Sequence, residues 1–330
     1  MRRRNFLTAT TGTTAAVAVP LIAQHSVGTS DVIRLRSGVD ALVTLDAARG
    51  GHDELERMAL AGAAETLEKQ KLGASQRIRQ RLFSVAADYM SMAAWSAVDA
   101  KRTDRARSLL DRSLYLAGMA KDSIAELKAW NLYSILARQR DAYTEGVDSG
   151  YAAQATAIAR RDPFYGSLAH ARTALAHSTL GDRQAALLRS LGCAQEALSK
   201  ASMDAPRPSW TAFYGPAELL AMTAIVRDRI GEPAEAEAAS HKALATIPEQ
   251  FRRNRALATA RLALTQLHQR DIDQACATAS MVFELMAGGP LPGRMRSLLG
   301  DYYRDLITLA PDAGVAREWG DCYRTEWSRA

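Results

Sequence analysis

Few residues in this chain of 330 have the types and spacing that catalysis or metal binding requires. His52 begins the segment HDELE, which starts like a zinc-protease helix but lacks the second histidine at the required spacing. His170 and His177 would share one helical face, yet two imidazoles without a third ligand do not form a zinc site. Asp271 and Asp273 lie close to a predicted turn, where a carboxylate caps a helix. The sequence also contains no Walker loop, dinucleotide fingerprint or nucleophile elbow. We therefore expect no catalytic residue, no metal and no cofactor, and we do not expect an enzyme.

The composition is that of a globular protein with a mildly basic charge. Hydrophobic residues make up 48% of the chain and charged residues 24%, close to the average for folded domains. The net charge is +6, and half of it comes from Arg2, Arg3 and Arg4, so the body of the chain lacks the excess charge typical of nucleic-acid binding. Residues 8–23 are weakly apolar, but the stretch is too short and too rich in threonine for a stable membrane span.

Two short basic segments stand out, RIRQR at 77–81 and FRRNR at 251–255. In both, apolar residues are interspersed at helical spacing. The favoured interpretation is a solvated helix face, and the alternative is a patch for nucleic acid or an acidic peptide.

The elements that must carry any site are predicted to be helices. From about Val39 onward, good helix formers dominate and breakers separate helix-length segments. The clearest unit is LLAMTAIVRDRIGEPAEAEAASHKALATIP, residues 219–248. Gly231 occupies a predicted turn in it, and Ala236 and Ala243 place small residues on one face of the second helix, where a paired helix can approach closely.

The same pattern of a helix, a turn and a second helix with small residues on one face recurs along the chain. Six units align on the small residues Ala106, Gly146, Ala186, Ala236, Ala275 and Ala316. The interval is about 40 residues and widens once, around the proline-containing stretch at 202–215. The pattern resembles the tetratricopeptide repeat, whose usual period is about 34 residues. It predicts an all-α fold, a tetratricopeptide-repeat-like superhelical solenoid of antiparallel helix pairs, over residues 39–330, with residues 39–70 as one more pair and residues 1–38 as a flexible N-terminal segment.

If helix pairs stack into a solenoid, the first helix of each pair lines the concave side. The repeat then projects seven groove candidates for peptide binding onto that side: Asp88, Trp95, Lys128, Asn131, Arg138, Glu218 and Asp228. Amide and charged side chains pair with a peptide backbone, and a tryptophan anchors a side chain. An enclosed apolar pocket would instead favour a small molecule.

Residues from about 39 to 330 resemble the C-terminal helical-repeat region of actinobacterial transcriptional regulators of the xenobiotic-response-element helix-turn-helix class. Four segments carry the resemblance: GGHDELERMAL at 50–60, AAWSAVDAKRTDRARSLLDRSLYLA at 93–117, SWTAFYGPAELLAMTAIVRDRIGEPAEAEAASHKAL at 209–244 and RNRALATARLALTQLHQRDIDQACATA at 253–279. The resemblance implies a regulatory function. Members of the family carry an N-terminal DNA-binding domain, whereas nothing before residue 39 of this sequence offers recognition helices. We therefore expect a protein or peptide partner and no direct contact with nucleic acid, with a homodimer as an alternative assembly.

The N-terminal residues resemble a twin-arginine export signal, through Arg3, Arg4, Phe6 and Leu7. The apolar stretch ends at Ala23. Two residues before it, Leu21 occupies the position where signal cleavage needs a small residue. In the regulator family a similar segment joins the DNA-binding domain to the helical-repeat region. We therefore predict a cytoplasmic protein, and export by the twin-arginine pathway is the alternative.

Together these features predict a non-catalytic regulatory repeat protein that binds a protein or peptide, as a transcription-linked adaptor without its own DNA-binding domain. Two alternatives stay open. One is a binding or scaffold protein exported by the twin-arginine pathway. The other is a small-molecule-sensing regulator, which would need an enclosed apolar pocket instead of an open groove.

Overall fold

A computed structural model describes residues 27–49, 53–287, 291 and 293–328. Over these residues the chain is all-helical and contains no β-strand, which confirms the predicted all-α class. The described α-helices are α1 (Thr29–Arg49), α2 (Asp53–Lys71), α3 (Gln76–Asp99), α4 (Thr103–Ala120), α5 (Ser123–Gln139), α6 (Tyr143–Ala155), α7 (Ala157–Arg161), α8 (Pro163–Thr179), α9 (Gly192–Ser199), α10 (Pro216–Arg229), α11 (Pro233–Thr246), α12 (Arg252–His268), α13 (Ile272–Leu285), α14 (Gly293–Leu309) and α15 (Gly314–Ser328). A π-helical segment, Ala185–Leu191, leads directly into α9, and a 3₁₀ helix, Ser209–Phe213, precedes α10.

The predicted boundary between residues 38 and 39 falls inside α1. Val32 and Leu35 are buried, and α1 packs on α2 and α3. Residues 29–38 therefore belong to the helical body. The residues of the signal-like motif lie outside the described part of the chain: Arg3, Arg4, Phe6 and Leu7.

Polar side chains fix where several helices begin. The Asp122 carboxylate accepts a hydrogen bond from the Ile124 amide at 3.0 Å at the start of α5, and Asp162 caps α8 in the same way. Asp271 accepts from the Gln274 amide at 3.3 Å, which confirms the capping predicted for it. Each cap satisfies an amide that has no carbonyl partner inside its helix.

The turn between the two helices of a pair has the same geometry in five units. The turn residues adopt the left-handed conformation, with φ between 55° and 83°, at Lys101, Asp141, Gly181, Gly231 and Arg270. Each lies five residues before the small residue on which its unit was aligned. The next amide then bonds back into the first helix, as from Glu232 N to Arg227 O at 2.9 Å. This left-handed closure ends the first helix and reverses the chain, so the predicted turn at Gly231 is confirmed.

The small residues lie where the helices approach one another. Ala106, Ala186, Ala236 and Ala275 have no accessible surface, and Ala316 is 4% exposed. Each first helix packs on its own second helix, in the pairs α3 with α4, α5 with α6, α10 with α11 and α12 with α13. In the described ranges, no helix has both the length and the hydropathy needed to cross a membrane.

The two ends of the helical array meet. Helix α1 contacts α12 and the 3₁₀ helix, and α3 contacts α14. Lys101 Nζ donates to Ser297 Oγ at 2.7 Å, and Ser209 Oγ donates to Asp40 Oδ1 at 2.6 Å. The first helices of the pairs therefore surround a central space instead of leaving an open groove.

Candidate ligand-binding cavity

A cavity of about 320 Å³ lies at the centre of the helical array. Its wall comes mainly from α1, α3, α5, α8, α10, α12 and α14, the first helices of the pairs, together with the 3₁₀ helix. On α5 the wall residues include Lys128, Asn131, Ile135 and Arg138, whose spacing keeps one helical face inward. The wall is largely apolar, and the volume is at the lower end of the range for small-ligand sites, about 300–1,000 Å³.

Trp95 lies where the two ends of the array meet. Its Nε1 donates to Asp46 Oδ2 at 2.9 Å, and the guanidinium groups of Arg253 and Arg294 lie 5.4 and 4.3 Å from the ring centre. Arg253 is 3.0 Å from Asp46 Oδ1, and Arg294 Nε donates to Asp99 Oδ1 at 2.6 Å. Burial lowers the pKa of Arg253, but Asp46 and Asp99 outweigh it and the net shift is upward. The charge of these two arginines is therefore neutralised within the protein.

Four further arginines face the cavity without a carboxylate within ion-pair distance in the described residues: Arg138, Arg172, Arg229 and Arg261. The guanidinium groups of Arg138 and Arg261 have neither a hydrogen bond nor an ion pair there. Burial lowers the pKa of Arg172 and Arg261 to about 10 and that of Arg229 to about 9, and it also lowers the pKa of Arg138. Repulsion between neighbouring arginines adds to each of these shifts. The groups keep some accessible surface because they face the cavity, but the protein around them removes most of the surrounding water.

Arg172 and Arg229 form hydrogen bonds with uncharged partners. Arg172 Nε donates to Asn131 Oδ1 at 2.7 Å. Arg229 Nη1 donates to the Leu175 carbonyl at 3.1 Å and to Thr179 Oγ1 at 2.9 Å. These bonds fix the orientation of both guanidinium groups without neutralising them.

The structure places five of the seven predicted groove residues on the cavity wall: Trp95, Lys128, Asn131, Arg138 and Glu218. Asp88 lies behind the wall as a buried counter-ion, with its carboxylate 3.0 Å from Lys128 Nζ and 3.0 Å from Arg36 Nη1. Asp228 is not one of the wall residues, and its carboxylate is 2.7 Å from His268 Nδ1. Whether any of the seven contacts a ligand stays a prediction.

Most ionisable groups on the wall are cations, and Glu218 is one of the two carboxyl groups among the wall residues. Burial raises the pKa of Glu218, while Arg172 and Arg294 act in the opposite direction. Burial thus disfavours the charged form of Glu218, and the wall carries more cationic than anionic groups.

Sequence reasoning missed Arg172 and Arg261 as wall residues. Both lie nine residues before the left-handed turn residue of their own unit, Gly181 and Arg270. Equivalent positions in equivalent helices face the same way, and the alignment on the small residues already places these two arginines at the same position of their units. That alignment does not show that the helices enclose a cavity.

Arg253 corrects the interpretation of the basic segment at 251–255. That segment was predicted to be a solvated helix face, but Arg253 is only 7% exposed and lines the cavity. The reason is that α1, from the other end of the chain, covers it through Asp46. Residues 77 and 79 of the first basic segment are exposed, as predicted.

In the part of the chain that the structure covers, no three His, Cys, Asp or Glu side chains are grouped as a metal site would require. No protein-family model matches the chain, and no curated protein sequence is significantly similar to it. Inferences about function therefore rest on the geometry of the cavity.

Proposed function

We propose that this chain is a tetratricopeptide-repeat-like superhelical solenoid that encloses a small ligand in its central cavity, without catalysing a reaction. The observation that carries the proposal is the meeting of the two ends of the array around a cavity built from the first helices. A cavity of about 320 Å³ accommodates a metabolite or the end of a short peptide.

The residues that were expected to bind an extended peptide already have partners in the protein. Trp95 donates to Asp46, Asn131 accepts from Arg172, and Lys128 pairs with Asp88. A peptide lying along the wall would have to compete with these contacts. The enclosed small ligand, rather than an open peptide groove, is therefore the reading that the geometry favours.

A regulatory function in the cytoplasm completes the proposal. Contacts between α1 and α12 close the array, so a ligand that fills the cavity would stabilise the closed form and be sensed as a shift between closed and open forms. Such a shift would let the protein act on transcription through a partner.

If twin-arginine export were operating instead, changing Arg3 and Arg4 to Lys would abolish secretion. We expect that change to leave the protein inside the cell.

A cavity-filling variant tests the ligand proposal. Ala221 lines the cavity on α10, and Ala221→Trp would occupy much of the space. The protein is incubated with a metabolite extract of molecules below about 1 kDa, separated by gel filtration and extracted for mass spectrometry. We expect the wild type and the control Ala238→Trp, whose site is exposed on α11, to retain the same small molecule and Ala221→Trp to lose it. Equal retention by all three proteins, or retention by none, would refute the proposal.

A further inference from the structure

The charges on the cavity wall do not balance. Seven cationic side chains line it: Lys128, Arg138, Arg172, Arg229, Arg253, Arg261 and Arg294. Lys128, Arg253 and Arg294 are paired with aspartates that lie on or behind the wall. Four guanidinium groups then remain, against the single carboxyl group of Glu218.

An imbalance of this kind destabilises the folded protein when the cavity holds no ligand. Charged groups buried in proteins are normally paired, because burial removes the hydration that stabilises them. The same protein supplies aspartates to Arg253 and Arg294 on the neighbouring part of the wall. Arg138 and Arg261 have no such partner among the described residues. The cavity wall therefore has one part whose arginines are paired with aspartates and another part whose arginines are not.

Helix position does not account for the cluster. Arg138 and Arg229 lie in the last turns of α5 and α10, where a cation is favourable beside the helix carbonyls. Arg172 and Arg261 lie in the middle of α8 and α12, where this effect is small. Their common feature is that they face the cavity.

We infer that the cavity takes a multiply charged organic anion, and that Arg138, Arg172, Arg229 and Arg261 bind its carboxylate or phosphate oxygens. This inference rests on the proposed function of the cavity as a ligand site. Since four unpaired guanidinium groups face one carboxyl group, an anion with at least two negative charges is needed to approach neutrality.

The orientation of the arginines suits oxyanion binding. The bond from Arg172 Nε to Asn131 leaves both terminal nitrogens of that guanidinium unused, and Arg229 uses only Nη1. Two terminal N–H groups of a guanidinium match the two oxygens of a carboxylate or a phosphate. Asn131, Leu175 and Thr179 therefore act as positioning residues for the anion site.

Titration calorimetry at constant ionic strength tests the inference with three probes: pyrophosphate, citrate and the monoanion acetate. We expect pyrophosphate or citrate, or both, to bind the wild type, and acetate to bind much more weakly. Binding of pyrophosphate alone would identify a phosphate site, and binding of citrate alone a carboxylate site. If neither multivalent anion binds, or if acetate binds as tightly as they do, the inference is wrong.

Arginine variants locate the site. Arg261→Gln and Arg138→Gln should each weaken multivalent anion binding by about tenfold or more, since each loses charge-assisted hydrogen bonds. Arg77→Gln, on an exposed part of α3, serves as the control and should bind like the wild type. Without anion, Arg261→Gln should melt at a higher temperature than the wild type, because it removes a buried repulsive charge. Unchanged affinity in both cavity variants would overturn the inference, and circular dichroism verifies that each variant is folded.

The two proposals can fail separately. If a neutral molecule is retained in a manner sensitive to Ala221→Trp, and Arg261→Gln retains it equally well, the cavity is a ligand site but not an anion site. If Ala221→Trp leaves both retention and multivalent anion binding unchanged, the ligand and the anion are bound outside the cavity, and both proposals are wrong.

Discussion

The Arg253 guanidinium lies 3.0 Å from Asp46 Oδ1 and joins α12 to α1 across 207 residues of sequence. The Asp99 carboxylate is 3.6 Å from the other side of the same guanidinium. The contact is nearly closed to solvent, since the side chains of Arg253 and Asp46 are 8% and 18% exposed. It therefore holds the two ends of the array together around the cavity.

Loss of this contact should destabilise the whole protein. Arg253→Met leaves the Asp46 carboxylate without its cation in a largely buried place, and we expect the free energy of unfolding to fall by about 3 kcal/mol. Chemical denaturation measures the change. Arg34→Met serves as the control, because the Arg34–Glu65 pair is exposed and such pairs contribute little. Similar effects of the two substitutions would show that the ends of the array do not meet as described.

The packing of the helix pairs predicts where added volume is harmful. Ala236 on α11 has no accessible surface, and α11 makes a packing contact with α10. Ala236→Leu should overpack this contact and lower the free energy of unfolding by about 1–3 kcal/mol. Ala238→Leu, on the exposed face of the same helix, should change it by no more than about 0.5 kcal/mol. If Ala236→Leu melts like the wild type, the register of the helix pairs is misassigned.

The turn geometry predicts which glycines are required. Gly231 has a φ of +83° and open space around its missing side chain, so the cost of Gly231→Ala comes from the backbone alone, about 1–2 kcal/mol. Gly73 also has open space but no positive φ. We expect Gly73→Ala to be neutral or slightly stabilising in thermal unfolding. Equal tolerance of both substitutions would contradict a left-handed turn at Gly231.

The sequence allowed the helix pairs to be predicted but not their closure into a ring. Gly231 and Ala236 identify one turn and its packed helix because the steric requirements of both are local. The left-handed turns at Lys101 and Arg270 gave no such signal, since neither residue type favours that conformation. The pairing of Arg253 with Asp46 depends on the accumulated rotation of all the intervening helices, which no local pattern specifies. The wall arginines other than Arg138 were missed for the same reason, because their convergence is visible only once the ring is closed.

His268 predicts a pH dependence of stability. Its Nδ1 lies 2.7 Å from Asp228 Oδ1 and its Nε2 3.5 Å from Asp305 Oδ2. The hydrogen bond to Asp228 raises the pKa of His268, with a smaller contribution from Asp305, and burial opposes the shift. A raised pKa in the folded state means that the protonated form stabilises the protein. This contribution is complete below about pH 6.5, the ordinary value for histidine, and is lost as the pH rises through the raised pKa.

Urea denaturation of the wild type and His268→Gln between about pH 5.5 and 9 measures this contribution. The wild type should exceed the variant in stability most at the acidic end, and the difference should shrink as the pH rises. His177→Gln provides an internal contrast, because burial lowers the pKa of His177. The neutral form of His177 is then favoured in the folded state, so the contribution of His177 to stability should be lost as the pH falls. A difference for His268→Gln that is constant or grows with pH would exclude the proposed ion pairs.

The most direct test of the anion-binding cavity is a crystal structure of the protein grown with selenate, with selenium located by anomalous diffraction. Selenate is a divalent oxyanion whose oxygens should accept N–H bonds from the wall arginines at about 2.7–2.9 Å. We predict a selenium peak inside the central cavity, in contact with Arg138 or Arg261, that is absent in crystals of the Arg138→Gln Arg261→Gln double variant. Selenium peaks confined to the outer surface, with an anion-free cavity in the wild type, would contradict anion binding by the wall arginines.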